Sequence, residues 1–180
     1  MSDLYFLMAL MGMETNSSSF PSSSSPSAAQ RKYDVFLNFR GEDTRYTLAD
    51  LLYDAFNQKG INAFKDDVKL EKGKTISLEL LKAIEESRFA IVILSKNYAS
   101  STWCLDELAK IIDCKKEMGM TVLPIFYDVE PSDVRKQKGT FALAFIEHEK
   151  HFKENIEKVE MRRAALSQVG NLVGWQIMNR

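Results

Sequence analysis

Phe89-Ala90-Ile91-Val92-Ile93-Leu94 is an unbroken apolar run, and a strand of a sheet that is buried on both faces has this composition. The run is followed by Ser95–Thr102, which is rich in small and hydroxyl residues, and then by a helix that begins near Trp103. Apolar residues recur in this helix at the spacing of one buried face: Leu105, Leu108, Ala109 and Ile112. The stretch therefore predicts one strand–loop–helix unit of an α/β fold.

Trp103 and Glu107 begin this helix and lie four residues apart, so they share a helix face. They also follow the carboxyl end of a strand, where open α/β sheets bind their ligands. Taken alone, a tryptophan at a helix start is more typical of packing, and a glutamate there is more typical of a solvated surface. The pair is therefore a candidate site that needs support from the rest of the sequence.

Short apolar strands alternate with amphipathic helices through the rest of the chain. Further strands are predicted at Tyr33–Asn38, Ile61–Phe64, Thr121–Tyr127 and Gly174–Ile177. Between them we expect a helix capped by Asp43 or Thr44, a helix through about Ser87 with Leu78 facing inward, and helices at 133–153 and 156–169. This alternation predicts a parallel sheet with helices on both faces.

Right-handed crossovers place every loop that follows a strand at the same edge of the sheet. Four loops should therefore converge there: Arg40-Gly41, Lys65–Lys74, Tyr98–Trp103 and Asp128–Pro131. Their convergence is the strongest argument from the residues themselves for a site that contains Trp103 and Glu107.

Composition restricts the class of protein. The 180 residues suit one domain, and a formal charge of -1 gives no general attraction to nucleic acid or an anionic membrane. Cys104 and Cys114 lie ten residues apart on one predicted helix, too far for a disulfide, so we expect reduced thiols in a reducing compartment. His148 and His151 have the spacing of a metal pair, but without a third ligand a solvated helix face is favoured.

The N-terminal segment, residues 1–31, differs from the rest of the chain. Leu4–Met13 is apolar but shorter than a membrane span, and it lacks the basic start of a secretory signal. Eight of the eleven residues 17–27 are serine, a composition that predicts disorder. Because residues 1–12 resemble neither the tail nor the domain, we expect translation to begin at Met13. Peptides from residues 1–12 in mass spectra of the native protein would contradict this.

Four blocks of the sequence resemble, in order, the motifs of plant Toll/interleukin-1 receptor (TIR) domains. They are Tyr33–Arg45, Phe64–Asp67, Ser95–Leu108 and Leu123–Arg135. The resemblance runs from Lys32 to Ile177, so residues 32–180 are identified as a TIR domain, of the kind found at the N-terminus of intracellular immune receptors. The chain resembles a truncated, TIR-only form, in which the helix that follows the last strand in the family is missing and one sheet face is partly bare.

The resemblance implies a flavodoxin-like fold with a five-stranded parallel sheet and helices on both faces. It also implies an NAD⁺ nucleosidase of plant innate immune signalling that acts on self-association. The products would be nicotinamide and ADP-ribose, or its cyclic and variant forms, which signal cell death. NAD⁺ would be the substrate, with NADP⁺ as a second candidate, and no cofactor or metal is expected. The implied partners are further copies or other TIR domains, with no nucleic acid or membrane, in the cytoplasm and as a second location the nucleus.

The same motifs assign roles to individual residues. Glu107 occupies the position of the family's catalytic glutamate. The other implied positions are substrate contacts at Arg40, Gly41, Lys65 and Trp103, a mobile loop with Asp66, Asp67, Lys72 and Gly73, and self-association residues Gly174 and Trp175. Simpler roles stay open: a salt bridge of Arg40 with Glu42 or Asp43, a turn at Gly41, and closure of the core by Gly174 and Trp175.

Two functional classes remain after this comparison, an NAD⁺-cleaving enzyme and a catalytically weak adaptor or decoy that binds other TIR domains. The candidate set of Arg40, Trp103 and Glu107 favours the enzyme, whereas a missing helix favours the adaptor. Arg162 also stands near a position where the family commonly has tryptophan. A phosphoacceptor receiver on the same fold is disfavoured because its acceptor aspartate would follow the third strand, which here ends in Leu94-Ser95.

Overall fold

The computed structural model describes residues 31–66 and 76–178. One sheet contains five strands: β1 (Tyr33–Phe39), β2 (Ala63–Lys65), β3 (Ser87–Leu94), β4 (Thr121–Tyr127) and β5 (Trp175–Ile177). All neighbouring strands are parallel, in the order β2-β1-β3-β4-β5. This is the flavodoxin-like order, so the predicted fold class is confirmed. The expectations for residues 1–30 and for the start at Met13 lie outside the described residues.

Helical segments connect the strands. They are α1 (Gly41–Thr44), a π-helical turn (Arg45–Ala49), α2 (Asp50–Gln58), α3 (Leu78–Glu85), a 3₁₀ turn (Tyr98–Ser100), α4 (Thr102–Met118), α5 (Pro131–Lys136), α6 (Thr140–His151) and α7 (Ile156–Gly170). The single helix predicted at 133–153 is wrong, because α5 and α6 are separate. Gln137 and Gly139 both have positive φ, 50° and 58°, which ends one helix before the next begins.

The strands alternate between two apolar layers, as a sheet covered on both faces requires. On β1, Phe36 packs into the layer that contains α3, α4 and α7, whereas Val35, Leu37 and Phe39 pack into the layer that contains α2. In the α2 layer several residues of β4 and β5 are only partly buried: Leu123, Tyr127, Trp175 and Ile177. This end of the α2 layer is therefore less completely covered than the β1 end, where Val35 and Leu37 are buried.

Leu78 lies on the solvent side of its helix instead of the predicted core side. Leu78 is 85% exposed, and Leu80, Ala83 and Ile84 fill the inner face of α3 instead. The inward prediction holds for Ala83 and Ile84 but fails for Leu78, which is the first residue of the helix after its cap Ser77 and lies on the opposite face from Leu80.

His148 is buried rather than solvated, which contradicts the prediction of a solvent-facing histidine pair. Its Nε2 lies 2.7 Å from the carbonyl oxygen of Ala99, in the turn that precedes α4. Burial lowers the pKa of His148, and the contact with Ala99 opposes this shift only in part. His151, three residues on, is exposed.

Gly174 closes the sheet at β5 by lying directly against β4. A Cβ at this position would lie 2.2 Å from the carbonyl oxygen of Pro124, which is backbone and cannot rotate away. The next residue, Trp175, is partly buried against the α2 layer. Closure of the core therefore accounts for both residues, and their role in self-association stays a prediction.

We expect Gly174→Ala to lower the free energy of unfolding by about 2 kcal/mol or more, because β5 must shift to relieve the contact. The control is Gly119→Ala, where φ is 68° but a Cβ would meet nothing within 4 Å, so only backbone strain of about 1 kcal/mol applies. Urea unfolding of the two variants checks the order. Equal losses would mean that the close approach to Pro124 is relaxed in solution.

No helix within residues 31–66 and 76–178 combines the length and apolar character needed to cross a membrane.

Candidate active site

Asp43 ties the loop after β1 to the loop after β3. Its carboxylate accepts hydrogen bonds from Ser95 Oγ at 2.6 Å and from the backbone N–H of Asn97 at 3.1 Å. Burial opposes ionisation of this carboxyl, but these hydrogen bonds outweigh it and lower its pKa. The prediction that Asp43 or Thr44 caps the first helix is wrong, because α1 already begins at Gly41 and Asp43 faces the neighbouring loop.

Arg40 is held at the same edge by two ion pairs. Its guanidinium donates to Asp43 Oδ1 at 2.7 Å and to the carboxylate of Glu42. The arginine side chain is 19% exposed, so it borders solvent. The structure therefore agrees with the simpler expectation that Arg40 forms salt bridges with Glu42 and Asp43. To bind a phosphate, Arg40 would have to exchange at least one of these carboxylate partners.

Glu107 lies in the second turn of α4 and is almost completely buried, with 4% of its surface exposed. The helix starts where Ser101 accepts a hydrogen bond from the backbone N–H of Cys104, and this cap fixes which residues face β1. The reading of Glu107 as a solvated surface residue is therefore wrong. Trp103, one turn earlier, is partly buried against the same core layer.

A buried amide holds the carboxyl of Glu107. Asn38 Nδ2 donates to Glu107 Oε2 at 2.7 Å, and Asn38 Oδ1 accepts from the hydroxyl of Tyr98. The Tyr98 hydroxyl also lies 3.1 Å from the carbonyl oxygen of Cys104. Sequence reasoning missed Asn38 and Tyr98. The available signal was the amide itself, since Asn38 is the one polar residue in the buried run 35–39.

Burial raises the pKa of Glu107 to about 8. The negative charges of Asp66 and Asp106 act in the same direction, whereas Asn38 and Trp103 favour the ionised form. The indole Nε1 of Trp103 is buried, but within the described part of the chain no acceptor meets full hydrogen-bond geometry with it. Asn38, whose contact with Glu107 is short and well directed, is therefore the stronger of the two donors. A strongly raised pKa at the carboxyl edge of the sheet is typical of functional carboxyls.

Cys104 is a packing residue rather than a reactive thiol. Its Sγ lies 3.4 Å from the carbonyl oxygen of Phe39, and burial together with the charge of Glu107 raises its pKa to about 12. Cys114, on the same helix, is buried too, and both cysteines are free thiols as the sequence predicts.

The loop after β2 approaches the site from the other side. Arg45 donates to the backbone carbonyl of Asp66 at 3.2 Å and stacks over the ring of Phe39. Gly41 makes room for this arginine, because a Cβ at Gly41 would lie 2.9 Å from Arg45 Nη2. The negative charge of Asp66 is close enough to raise the pKa of Glu107. Gly41 leaves room for the arginine that holds the backbone of Asp66.

Lys65 is directed toward α2. It forms an ion pair with Asp50 at 2.6 Å, and its ammonium group lies 4.7 Å from the ring centroid of Tyr53. Contact of Lys65 with a substrate would require loss of this ion pair. The mobile-loop residues Asp67, Lys72 and Gly73 lie outside the described residues.

The fourth loop of the predicted group is anchored on β5. The backbone N–H of Asp128 donates to the carbonyl oxygen of Ile177 at 2.8 Å, and the side-chain amide of Gln176 donates to the carbonyl oxygen of Val129. The structure thus brings together Arg40, Asp66, Trp103 and Glu107 through the first three loops, while β5 holds the fourth.

A cavity and the question of a metal site concern residues outside this group. A cavity of about 230 Å³ lies between the start of β1, β2 and α3, and Tyr33, Phe64 and Lys82 are among its lining residues. In residues 31–66 and 76–178, no three or more His, Cys, Asp or Glu side chains are arranged to hold a metal ion.

Comparisons with known proteins agree with this architecture. The family model described as "TIR domain" matches residues 32–180. TMV resistance protein N of Nicotiana glutinosa is 56% identical over 151 residues, which cover 84% of this chain and 13% of that protein. Disease resistance protein RPV1 of Vitis rotundifolia is 52% identical over 159 residues, covering 88% of this chain and 11% of that protein.

A solved structure gives the same result in three dimensions. The TIR domains of the activated Roq1 resistosome, which directly recognises the pathogen effector XopQ, match with a TM-score of 0.73 and 52% identity. The match covers 81% of this chain and 88% of that chain. Since the chain spans only about an eighth of the two curated relatives, it corresponds to one part of such proteins. The chain therefore belongs to the TIR domain family, and its relatives are plant disease resistance proteins.

Proposed function

We propose that this TIR domain cleaves the nicotinamide–ribose bond of NAD⁺ in plant immune signalling and that it does so when domains self-associate. The observation that carries the proposal is the carboxyl of Glu107, buried at the carboxyl edge of the sheet with its pKa raised to about 8. A carboxyl in such surroundings is costly to ionise, and the fold keeps it there instead of an apolar residue.

Glu107 acts as a carboxylate in the proposed reaction. When the bond between the nicotinamide nitrogen and the ribose carbon breaks, the electron pair leaves with neutral nicotinamide and positive charge develops on the ribose. A carboxylate next to the ribose stabilises that charge. Water then attacks the same carbon and releases a proton to give ADP-ribose. Alternatively, an adenine nitrogen attacks that carbon and the adenine releases a proton to give a cyclic product.

The arrangement described here is closed, and this supports dependence on self-association. Near pH 7 the protonated form of Glu107 predominates, because its pKa is about 8. Burial is the largest contribution to this raised pKa. Opening of the site toward solvent removes that contribution and yields the carboxylate. In the same step Arg40 exchanges Glu42 or Asp43 for a phosphate, and Trp103 becomes a surface for a ring of the dinucleotide. Association with a second domain supplies the free energy of opening.

Arg40, Gly41, Lys65 and Trp103 are proposed to contact the substrate, and the 65–74 loop is proposed to move. The proposal places the reaction in the cytoplasm, with NAD⁺ as substrate and no cofactor. The activated Roq1 resistosome contains several TIR domains, which supports association between copies.

A second candidate, an adaptor that acts only by binding other TIR domains, is favoured by the same closed geometry. Glu107 is 4% exposed and Arg40 is occupied by carboxylates, so no substrate reaches them without rearrangement. The two candidates differ in whether association opens the site.

We expect nicotinamide release from NAD⁺ by protein clustered on a scaffold and a loss of about 100-fold or more in Glu107→Ala. Chromatography of the products measures nicotinamide directly. Glu117→Ala is the matched control, since Glu117 is an exposed glutamate on the same helix. Equal turnover by wild type and Glu107→Ala would remove Glu107 from the mechanism. Absence of turnover in both, with association intact, would favour the adaptor.

A further inference from the structure

Asn38 occupies a position that the fold otherwise reserves for apolar side chains. It is fully buried in β1, between Leu37 and Phe39, and is paired in the sheet with Val92 of β3. A buried amide is costly unless its donors and acceptor are satisfied. Its presence at the penultimate residue of β1, an interior strand of the sheet, therefore calls for a role beyond packing.

Both ends of this amide are used. Nδ2 donates to Glu107 Oε2 at 2.7 Å and also lies 3.4 Å from the carbonyl oxygen of Cys104. Oδ1 accepts from the hydroxyl of Tyr98, which is itself fully buried. The hydroxyl of Tyr98 thus favours the amide orientation in which the NH₂ group faces Glu107. The chain of contacts runs from the turn before α4, through β1, to the carboxyl.

We propose that Asn38 and Tyr98 are positioning residues for the NAD⁺-cleaving reaction: Asn38 aims and stabilises the Glu107 carboxylate, and Tyr98 holds the amide of Asn38 in the donating orientation. This inference rests on the proposed function for its activity readout only. The contacts themselves predict a change in the ionisation of Glu107 whether or not turnover is observed.

The charges around Glu107 make this donor important. Asp66 from the loop after β2 and Asp106 on α4 both disfavour the ionised carboxyl. Cys104 and Tyr98 are neutral, since burial raises the pKa of each thiol or hydroxyl above its ordinary value. Asn38 is therefore the main contact that favours the carboxylate, ahead of the indole of Trp103.

The test compares wild type with Asn38→Ala, Tyr98→Phe and the double variant. In clustered protein we expect kcat to fall about 10-fold or more in Asn38→Ala and less in Tyr98→Phe, with little change in KM, because the lost contact acts on the carboxylate. The acid limb of the kcat–pH profile should move to higher pH by about one unit in Asn38→Ala. Tyr46→Phe is the matched control, since that tyrosine is 81% exposed.

The double variant tests whether Tyr98 acts through Asn38. If it does, the double variant is no slower than Asn38→Ala, since an orienting hydroxyl has nothing left to orient. Additive losses would overturn the role of Tyr98. Should Asn38→Ala melt below the assay temperature, Tyr98→Phe carries the test, because the ring stays in place.

A second readout does not depend on turnover. Carboxyl ¹³C NMR titration of the glutamates, with Glu107→Gln to assign the signal, follows the ionisation of Glu107. We expect its pKa to rise further in Asn38→Ala and to rise less in Tyr98→Phe. Unchanged titration in both variants would overturn the inference. A shifted titration without nicotinamide release from any clustered protein would contradict the proposed function and leave the positioning role standing.

Discussion

Replacing Glu107 by glutamine is expected to abolish nicotinamide release and, at the same time, to make the folded domain more stable above about pH 5. Glutamine keeps the length of the side chain and an oxygen that accepts from Asn38 Nδ2, but it carries no charge. A neutral amide cannot stabilise positive charge on the ribose, so we expect turnover to fall about 100-fold or more.

The gain in stability follows from the two ionisation states. The unfolded carboxyl ionises near its ordinary pKa of 4.5, whereas burial raises the pKa in the folded domain to about 8. Between these values the folded state retains a proton that the unfolded state releases, so the free energy of unfolding falls as pH rises. Each pH unit in this window costs the wild type about 1.4 kcal/mol, and Glu107→Gln is free of that cost.

Urea unfolding at pH 5 and at pH 8 measures this difference. We expect Glu107→Gln to resemble wild type at pH 5 and to exceed it by about 4 kcal/mol at pH 8. The exposed substitution Glu117→Gln serves as a control and should follow wild type at both values. Parallel pH profiles for wild type and Glu107→Gln would show that the carboxyl is solvated in solution, which contradicts the closed arrangement.

Replacing Asp106 by alanine is expected to lower the free energy of unfolding by about 3–5 kcal/mol. Asp106 on α4 accepts two hydrogen bonds from Arg162 on α7, at 2.7 Å from Nε and 3.0 Å from Nη2. The side chain of Arg162 is 2% exposed and also stacks over the ring of Phe152. Without Asp106, a guanidinium is left buried with its principal charge partner removed.

The double variant Asp106→Ala with Arg162→Met should recover most of that loss, since it removes both charges and retains an apolar side chain of similar length. Asp113→Ala is the matched control, because Asp113 is exposed on the same helix and should change stability by less than about 0.5 kcal/mol. Urea unfolding measures all three. A loss in Asp106→Ala no larger than in Asp113→Ala would mean that the pair contributes little to the joining of α4 and α7.

The strands illustrate what sequence patterns predict well. The apolar run at 89–94 lies within β3, Thr121–Tyr127 is β4 at its predicted bounds, and the four apolar positions of α4 are buried. These features depend on residues that are close along the chain, and their periodicity is therefore readable directly. The predictions that Leu78 faces inward and that one helix covers 133–153 were wrong. They depend on where a helix begins and on residues with positive φ.

In the candidate site, too, the features that depend on local sequence were predicted and those that depend on distant residues were not. Glu107 and Trp103 were placed correctly on one helix at the carboxyl edge, and Arg40 at the end of β1. The role of Asp43 in joining two loops was not predictable, since its partners Ser95 and Asn97 are more than fifty residues away. Nor was the burial of His148 against Ala99, for the same reason.

The sequence by itself determined the α/β class, the alternation of strands with helices that makes the sheet parallel, and which residues lie at the carboxyl edge of the sheet. Only the tertiary structure decided that Glu107 is buried, bonded to Asn38 and shifted to a pKa of about 8. The physical reason is that periodicity is a local property of the chain. The ionisation of a carboxyl depends instead on the solvent, dipoles and charges around it. Here Asn38 of β1 and Asp66 of the loop after β2 contribute, and only folding brings them to α4.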